Sequence, residues 1–125
     1  MRALARDHLP RYPRKEMLAR IVQETVDAFL SRLRGRYGSR VVDVRLFGSQ
    51  ARGEAREDSD VDVLVLLDHV EPDDDRAITD MASDLIWELH GVVIEPLVMS
   101  ADEFARWLAS ERRTPCEIEK DGIRL

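Results

Sequence analysis

Two short apolar runs separated by a polar segment constrain the fold of this chain more than any other feature. Residues 41–47 and 61–67 are rich in valine and leucine, as buried strands are. The segment between them is too short for a crossover helix with its loops, so the two strands are predicted to pair in an antiparallel way. Gly48 and Ser49, which follow the first strand, should therefore lie beside the start of the second.

The second strand begins with two acids spaced by one residue, Asp60 and Asp62. Residues i and i+2 of a strand share a face, so these carboxylates should stand side by side while Val61 and Val63 point into a core. Paired carboxylates suit Mg²⁺, which commonly takes one or two protein carboxylates together with substrate phosphates. An ordinary hairpin, with Gly48 in its turn and the acids at a strand start, is the alternative interpretation.

The glycine beside the acids favours a phosphate ligand. Gly48 allows backbone N–H groups to approach an anion, and the following residues can form a helical turn whose N-terminus favours phosphate. Gly48, Ser49, ten further residues and then Asp60-Val61-Asp62 resemble the signature of the DNA polymerase beta-like nucleotidyltransferases. The stretches LFGSQARG and EDSDVDVLV are similar above all to those of the minimal nucleotidyltransferases of prokaryotes.

The resemblance implies a chemistry and a partner. It implies an enzyme that binds a nucleoside triphosphate and Mg²⁺ and transfers a nucleoside monophosphate, most often AMP from ATP, to a hydroxyl with release of pyrophosphate. Many minimal nucleotidyltransferases resemble antitoxins paired with small all-helical HEPN proteins, whose tyrosine is the acceptor. The corresponding residues here are Asp60, Asp62 and Glu95 as catalytic and metal-binding groups, and Gly48, Ser49 and Arg52 as nucleotide-binding groups.

Two of these assignments leave alternatives open. The most apolar residues of its strand share one face, and Glu95 lies on the other face. This alternation predicts that Glu95 faces the same way as Asp60 and Asp62. A glutamate beside a proline could equally be an exposed charge of an edge strand. Arg52 lies one helical turn after Ser49 and could reach phosphate, or it could form a surface salt bridge with Glu54 or Asp58.

The remaining patterns predict an α/β (α+β) nucleotidyltransferase fold with a small mixed three-stranded sheet in the order 1-2-3. Strand one is antiparallel to strand two, and strand three follows a crossover helix and is therefore parallel to it. Ser100 and Glu103 form a capping box that opens a further helix. The predicted elements are helices over 15–33 and 74–89, strands over 40–47, 60–67 and 92–99, and a short terminal extended piece.

Length and charge limit the classes of protein. A chain of 125 residues is expected to form one domain over 15–125, preceded by an irregular basic arm over 1–14. Its net charge of −6 argues against a sequence-specific nucleic-acid binder. Without an apolar run long enough to span a membrane, a cytoplasmic location is expected. The lone Cys116 suggests no chemistry.

Association into a homo-oligomer is possible, and the rival function is a non-catalytic module that inhibits its partner by binding alone.

Overall fold

The computed structural model describes residues 14–56 and 59–125. The chain begins with helix α1, Arg14–Tyr37, which continues into a 3-10 turn at Gly38–Arg40. This helix runs four residues past its predicted end, and Gly35 does not stop it. Tyr37 is buried one turn after buried Leu33, so packing extends the helix until Gly38, whose φ of +53° a helix cannot hold.

A four-stranded mixed sheet forms the centre of the fold, in the order β3-β2-β1-β4. Strand β1 is antiparallel to β2, and β2 is parallel to β3, as the connection lengths predicted. The sequence prediction contained three strands, and the fourth is a two-residue strand that pairs with β1 at Arg45 and Leu46. The strands are β1 Val41–Phe47, β2 Val61–Leu67, β3 Ile94–Ser100 and β4 Ile123–Arg124.

Helices cover both faces of the sheet. The other helices are α2 Gly48–Arg52, α3 Asp74–Glu88, α4 Ala101–Ala109 and α5 Arg113–Asp121. Helices α1 and α3 pack on one face, against a core that includes Val61, Val63, Val65 and Leu67 of β2. Helices α4 and α5 contribute Phe104 and Ile118 to a second, smaller core on the other face, with Leu64 and Leu66 of β2. Strand β2 is thus buried on both sides along most of its length.

The surface of α3 carries one large exposed apolar side chain. Trp87 is 88% exposed. Trp107, by contrast, packs at the edge of the second core against Phe104, with ring centroids 6.3 Å apart.

In the described part of the chain, no helix combines the length and apolar character needed to cross a membrane. The basic arm predicted over residues 1–14 lies outside the described residues, apart from Arg14 at the start of α1.

Candidate functional site

The candidate site lies where β1 ends and β2 begins. Phe47 is the last residue of β1 and pairs with Asp62 of β2, so the glycine-serine turn lies next to the acidic pair as predicted. Gly48 has a φ of +72°, a left-handed conformation that residues with a side chain rarely adopt. A Cβ atom on Gly48 would collide with Oδ2 of Asp62. The backbone at Gly48 therefore packs directly against one of the candidate catalytic carboxylates.

Asp62 is flanked by a third acid on its other side. In the parallel pairing of β2 and β3, Asp62 stands opposite Glu95. Leu64 lies two residues after Asp62 in β2, and Leu97 lies two residues after Glu95 in β3. Both leucines pack in the second core. Asp62 and Glu95 therefore point to the face covered by α4 and α5, at the open end of that face. The alternation of apolar residues in β3 predicted this orientation of Glu95.

Burial and the proximity of the acids to one another raise the pKa values of Asp62 and Glu95. Burial raises the pKa of Asp62, and the charge of Asp60 raises it further, while a hydrogen bond with Glu95 and the charge of Arg52 lower it. A hydrogen bond with Asp60 and the charge of Asp60 raise the pKa of Glu95, to which burial and Asp62 add. The charged forms of Asp62 and Glu95 are disfavoured beside Asp60, so a cation bound there would stabilise the site.

The donor set fits a hard divalent cation that also binds a substrate. Its oxygen atoms come from Asp60, Asp62 and Glu95, and oxygen is the ligand that Mg²⁺ prefers. Among residues 14–56 and 59–125, no three acidic, histidine or cysteine side chains are gathered closely enough to hold a metal ion by themselves. Asp60 and Asp62 still suit Mg²⁺, which commonly takes one or two protein carboxylates together with substrate phosphates, and the part of Glu95 in the metal site stays a prediction.

Arg52 forms an ion pair at the surface and also lies near the acids of the candidate site. Its Nε atom lies 3.1 Å from Oε2 of Glu54, and this pair is exposed to solvent. The charge of Arg52 also lowers the pKa of Asp62. The ion pair with Glu54 is thus present, and the guanidinium remains near the acids where it could meet a phosphate. Asp58, the other proposed ion-pair partner, lies outside the described residues.

A cavity next to the acids was not predicted from the sequence. It measures about 510 Å³ and lies between α1, the segment after α2 and the turn before β3. We call it the Asp60 cavity, because Asp60 is one of its lining residues. No sequence pattern could have revealed it, since its walls come from segments far apart in the chain. It is lined by Ala19, Ile21, Val22, Gln50, Gly53, Ala55, Arg56, Ser59, Asp60, His90, Gly91, Val92 and Val93.

The acidic run Asp73 to Asp75 lies at the opposite end of the sheet from the candidate site. Asp73 to Asp75 stand at the start of α3, where acids suit the helix N-terminus. Asp74 is buried and accepts a hydrogen bond of 2.6 Å from Nη2 of Arg40, so it serves the packing of α3. Cys116 is exposed on α5. His90 lines the Asp60 cavity, although the sequence gave it no role. Its Nε2 atom lies 2.6 Å from Oε2 of Glu24.

Residues 26–113 match the family model of the nucleotidyltransferase domain. The chain belongs to the nucleotidyltransferase family. The match includes the β1-α2-β2 unit and β3, and thereby the glycine-serine turn and the three acids. The resemblance drawn from Gly48, Ser49, Asp60 and Asp62 is confirmed at the level of the family. The individual roles of these residues in the nucleotidyltransferase remain predictions.

Relatives of this nucleotidyltransferase include proteins named as protein adenylyltransferases. It is 35% identical over 82 residues to a candidate protein adenylyltransferase of Methanocaldococcus jannaschii, covering 66% of this chain and 77% of the relative. It is 50% identical over 44 residues to the protein adenylyltransferase MntA of Thermococcus cleftensis, covering 35% of this chain and 42% of that protein. The first match extends over most of both chains, whereas the second is confined to a shorter segment.

One solved structure shares the fold. The crystal structure of a toxin-antitoxin with AMP-PNP superposes with a TM-score of 0.50 at 19% identity, covering 77% of this chain and 68% of that one. At this identity the likeness concerns the fold alone. The predicted α/β nucleotidyltransferase fold is confirmed, with one more strand in its sheet than the sequence predicted.

Proposed function

We propose that this nucleotidyltransferase transfers AMP from ATP to a hydroxyl group of a protein, and that it acts as the antitoxin of a toxin-antitoxin pair. The observation that carries the proposal is the meeting of Asp60, Asp62 and Glu95 beside the Gly48-Ser49 turn. The relatives named protein adenylyltransferases support a protein acceptor. The fold shared with a toxin-antitoxin bound to AMP-PNP supports the adenine nucleotide and the paired partner.

Each residue has a role in this reaction. The backbone at Gly48 and Ser49 would receive the phosphates, and the Arg52 guanidinium would leave Glu54 to neutralise part of their charge. Asp60 and Asp62, joined by Glu95, would hold Mg²⁺, which neutralises phosphate charge and aligns the reacting oxygen atoms. The protein thus acts mainly by positioning groups that have little covalent chemistry of their own to perform.

The bond changes follow from the proposed substrates. The acceptor oxygen forms a bond to the α-phosphorus, and the bond from that phosphorus to the bridging oxygen of the β-phosphate breaks. Pyrophosphate leaves, and the acceptor proton passes to Glu95 or to water. The partially buried Asp62 is held by strand pairing on both sides. The more exposed Asp60 and Glu95 lie where an acceptor can approach.

We propose a tyrosine of a small helical HEPN-type toxin as the acceptor. The described residues form one sheet with its covering helices, and the site lies at an open end of that sheet. A partner protein that brings its own hydroxyl to this end would complete the site. The neighbouring reading frame in the source genome is the first candidate for such a partner.

The test is transfer of labelled AMP to the co-expressed partner, followed by mass spectrometry. Asp62→Asn keeps the shape of the side chain and removes its charge, so we expect transfer to fall by roughly 100-fold or more. Asp80→Asn, an exposed change on α3, should transfer normally. Undiminished transfer by Asp62→Asn would contradict the site.

The same variant separates catalysis from simple inhibition. If binding alone silences the partner, Asp62→Asn should still neutralise it fully, and no adduct should appear with the wild-type protein. If modification silences the partner, the adduct and the neutralisation should disappear together in Asp62→Asn while Asp80→Asn retains both.

A further inference from the structure

We propose that this protein forms a two-fold symmetric dimer through the groove between α1 and α3. The groove measures about 480 Å³, and its two walls carry opposite charge. The α1 wall is lined by Arg32 and Arg36, and the α3 wall by Asp73, Asp80, Asp84 and Arg76. Arg76 offsets only one of the three acids, so the α3 wall stays acidic. The inference does not rest on the proposed function.

Most of the charges in this groove have no partner of their own. Arg32 forms an ion pair with Glu88 of α3. Arg36, Asp80 and Asp84, in contrast, form no ion pair with any residue in the part of the chain that the structure describes. Unpaired charges of opposite sign along one groove are available to a partner whose charges are complementary to them.

The arrangement of the two helices makes the groove complementary to itself. Arg32 pairs with Glu88 at the end of α3, and Arg40, which follows α1, pairs with Asp74 at the start of α3. The two helices are therefore antiparallel, and the groove runs along both. A rotation of 180° about the groove exchanges its walls, which lays α1 of each copy over α3 of the other. The basic wall then meets the acidic wall twice, as an isologous interface requires.

Trp87 provides an apolar contact at one end of the groove. It follows Asp84 by three residues, so both side chains project from the same side of α3. Its indole is almost fully exposed in the single chain. Tryptophan is enriched among the residues that contribute most to protein interfaces. A second copy laid over α3 would remove this large apolar surface from water.

The size of the face predicts a weak dimer. Helix α3 has 15 residues and is therefore about 22 Å long, and two adjacent helices are about 20 Å wide. The two copies would cover about 450 Å² each, or about 900 Å² together, which is less than the 1,200–2,000 Å² of a standard stable interface. We therefore expect a dimer that dissociates in the micromolar range of protein concentration.

This dimer leaves both candidate sites accessible. Asp62 and Glu95 point to the sheet face covered by α4 and α5, whereas α1 and α3 cover the opposite face. Two copies joined through α1 and α3 therefore hold these acids on their outer sides. The dimer would offer two sites to two acceptor molecules, and transfer at each site would not depend on dimerisation.

The test is sedimentation velocity from about 1 to 500 µM protein, with one charge reversed on each wall. Arg36→Glu makes the basic wall more acidic, and Asp84→Arg makes the acidic wall more basic. Either variant alone places like charges opposite each other in both halves of the dimer, so we expect its association to weaken about tenfold or more. An equimolar mixture restores opposite charges in both halves, so a heterodimer about as tight as the wild-type dimer should form.

Two further variants complete the test. Arg106→Glu, the same change of charge at an exposed position of α4, should associate as the wild type does. Trp87→Ala changes no charge and should also weaken the dimer. It decides the question if a charge-reversed variant does not fold, because wild-type association of Trp87→Ala would then overturn the proposal.

Three other results would overturn the dimer. One is wild-type association by both folded charge-reversed variants. Another is a mixture of these variants that stays monomeric where the wild type associates. The third is a wild-type protein that stays monomeric at every concentration, while Trp87→Ala weakens binding of the co-expressed partner, which would assign the groove to that partner instead.

Discussion

At the scale of single residues, the left-handed backbone of Gly48 and its close contact with Asp62 both require a glycine at this position. Its φ is +72° and that of Gly53 is +71°, so an alanine at either position should cost about 1–2 kcal/mol through backbone strain. Only at Gly48 would the added Cβ meet Asp62, because nothing lies within 4 Å of a Cβ on Gly53. We predict that both alanine variants lower the free energy of unfolding, and that only Gly48→Ala also removes AMP transfer.

Urea unfolding and labelled transfer of the two variants measure these effects separately. The Gly53→Ala protein is the control for left-handed strain without the collision. Normal transfer by a folded Gly48→Ala protein would show that close packing of the turn on Asp62 is not needed for activity. Loss of transfer in both variants would assign the effect to the backbone of α2 as a whole.

At the scale of elements, α4 depends on the cap that its sequence predicted. Oγ of Ser100 accepts a hydrogen bond of 3.0 Å from the backbone N–H of Glu103 and lies 3.2 Å from the Glu103 carboxylate. Ser100→Ala should therefore lower the free energy of unfolding by about 1 kcal/mol. Transfer should be unchanged, because Ser100 lies at the opposite end of β3 from Glu95 and the other acids. Ser39→Ala, at an exposed position of the 3-10 turn, is the control, and equal stability losses would contradict a capping role.

Local patterns predicted the elements that carry the acids, and long-range contacts produced the rest. The facing of Glu95 followed from alternation within one strand, and the pairing of β1 with β2 followed from the short segment between them. Strand β4 was predicted only as a terminal extended piece, because two residues carry no pattern that indicates a strand partner. Its place beside β1 depends on the N–H of Leu125, which donates a hydrogen bond of 2.8 Å to the carbonyl of Val44. The Asp60 cavity likewise requires three distant segments to meet.

At the scale of the whole molecule, an ion pair far from the site should make stability depend on pH. Arg40 donates a hydrogen bond to buried Asp74, which lowers the pKa of Asp74 below its ordinary value of 3.8, helped by the backbone N–H of Glu71. Because the folded pKa is the lower one, this stabilisation is fully present above the unfolded pKa and is lost as the pH falls through the folded value. Asp74→Asn should therefore destabilise the protein at neutral pH, and its difference from wild type should shrink in acid.

Denaturant titrations at a series of pH values from neutral to about 2.5 measure that difference. Asp75→Asn, its exposed neighbour in the first turn of α3, is the control. A difference between wild type and Asp74→Asn that stays constant with pH would contradict an ionised Asp74 in the folded protein.

The contrast between Trp87 and Trp107 provides two optical reporters on opposite sides of the sheet. They are the only tryptophans in the sequence, one almost fully exposed on α3 and the other packed at the edge of the second core. A soluble quencher such as iodide should reach the first indole and largely spare the second. A partner that covers α3 would then shield Trp87 from the quencher, whereas loosening of α4 would expose Trp107, so fluorescence could tell docking from partial unfolding without any added label.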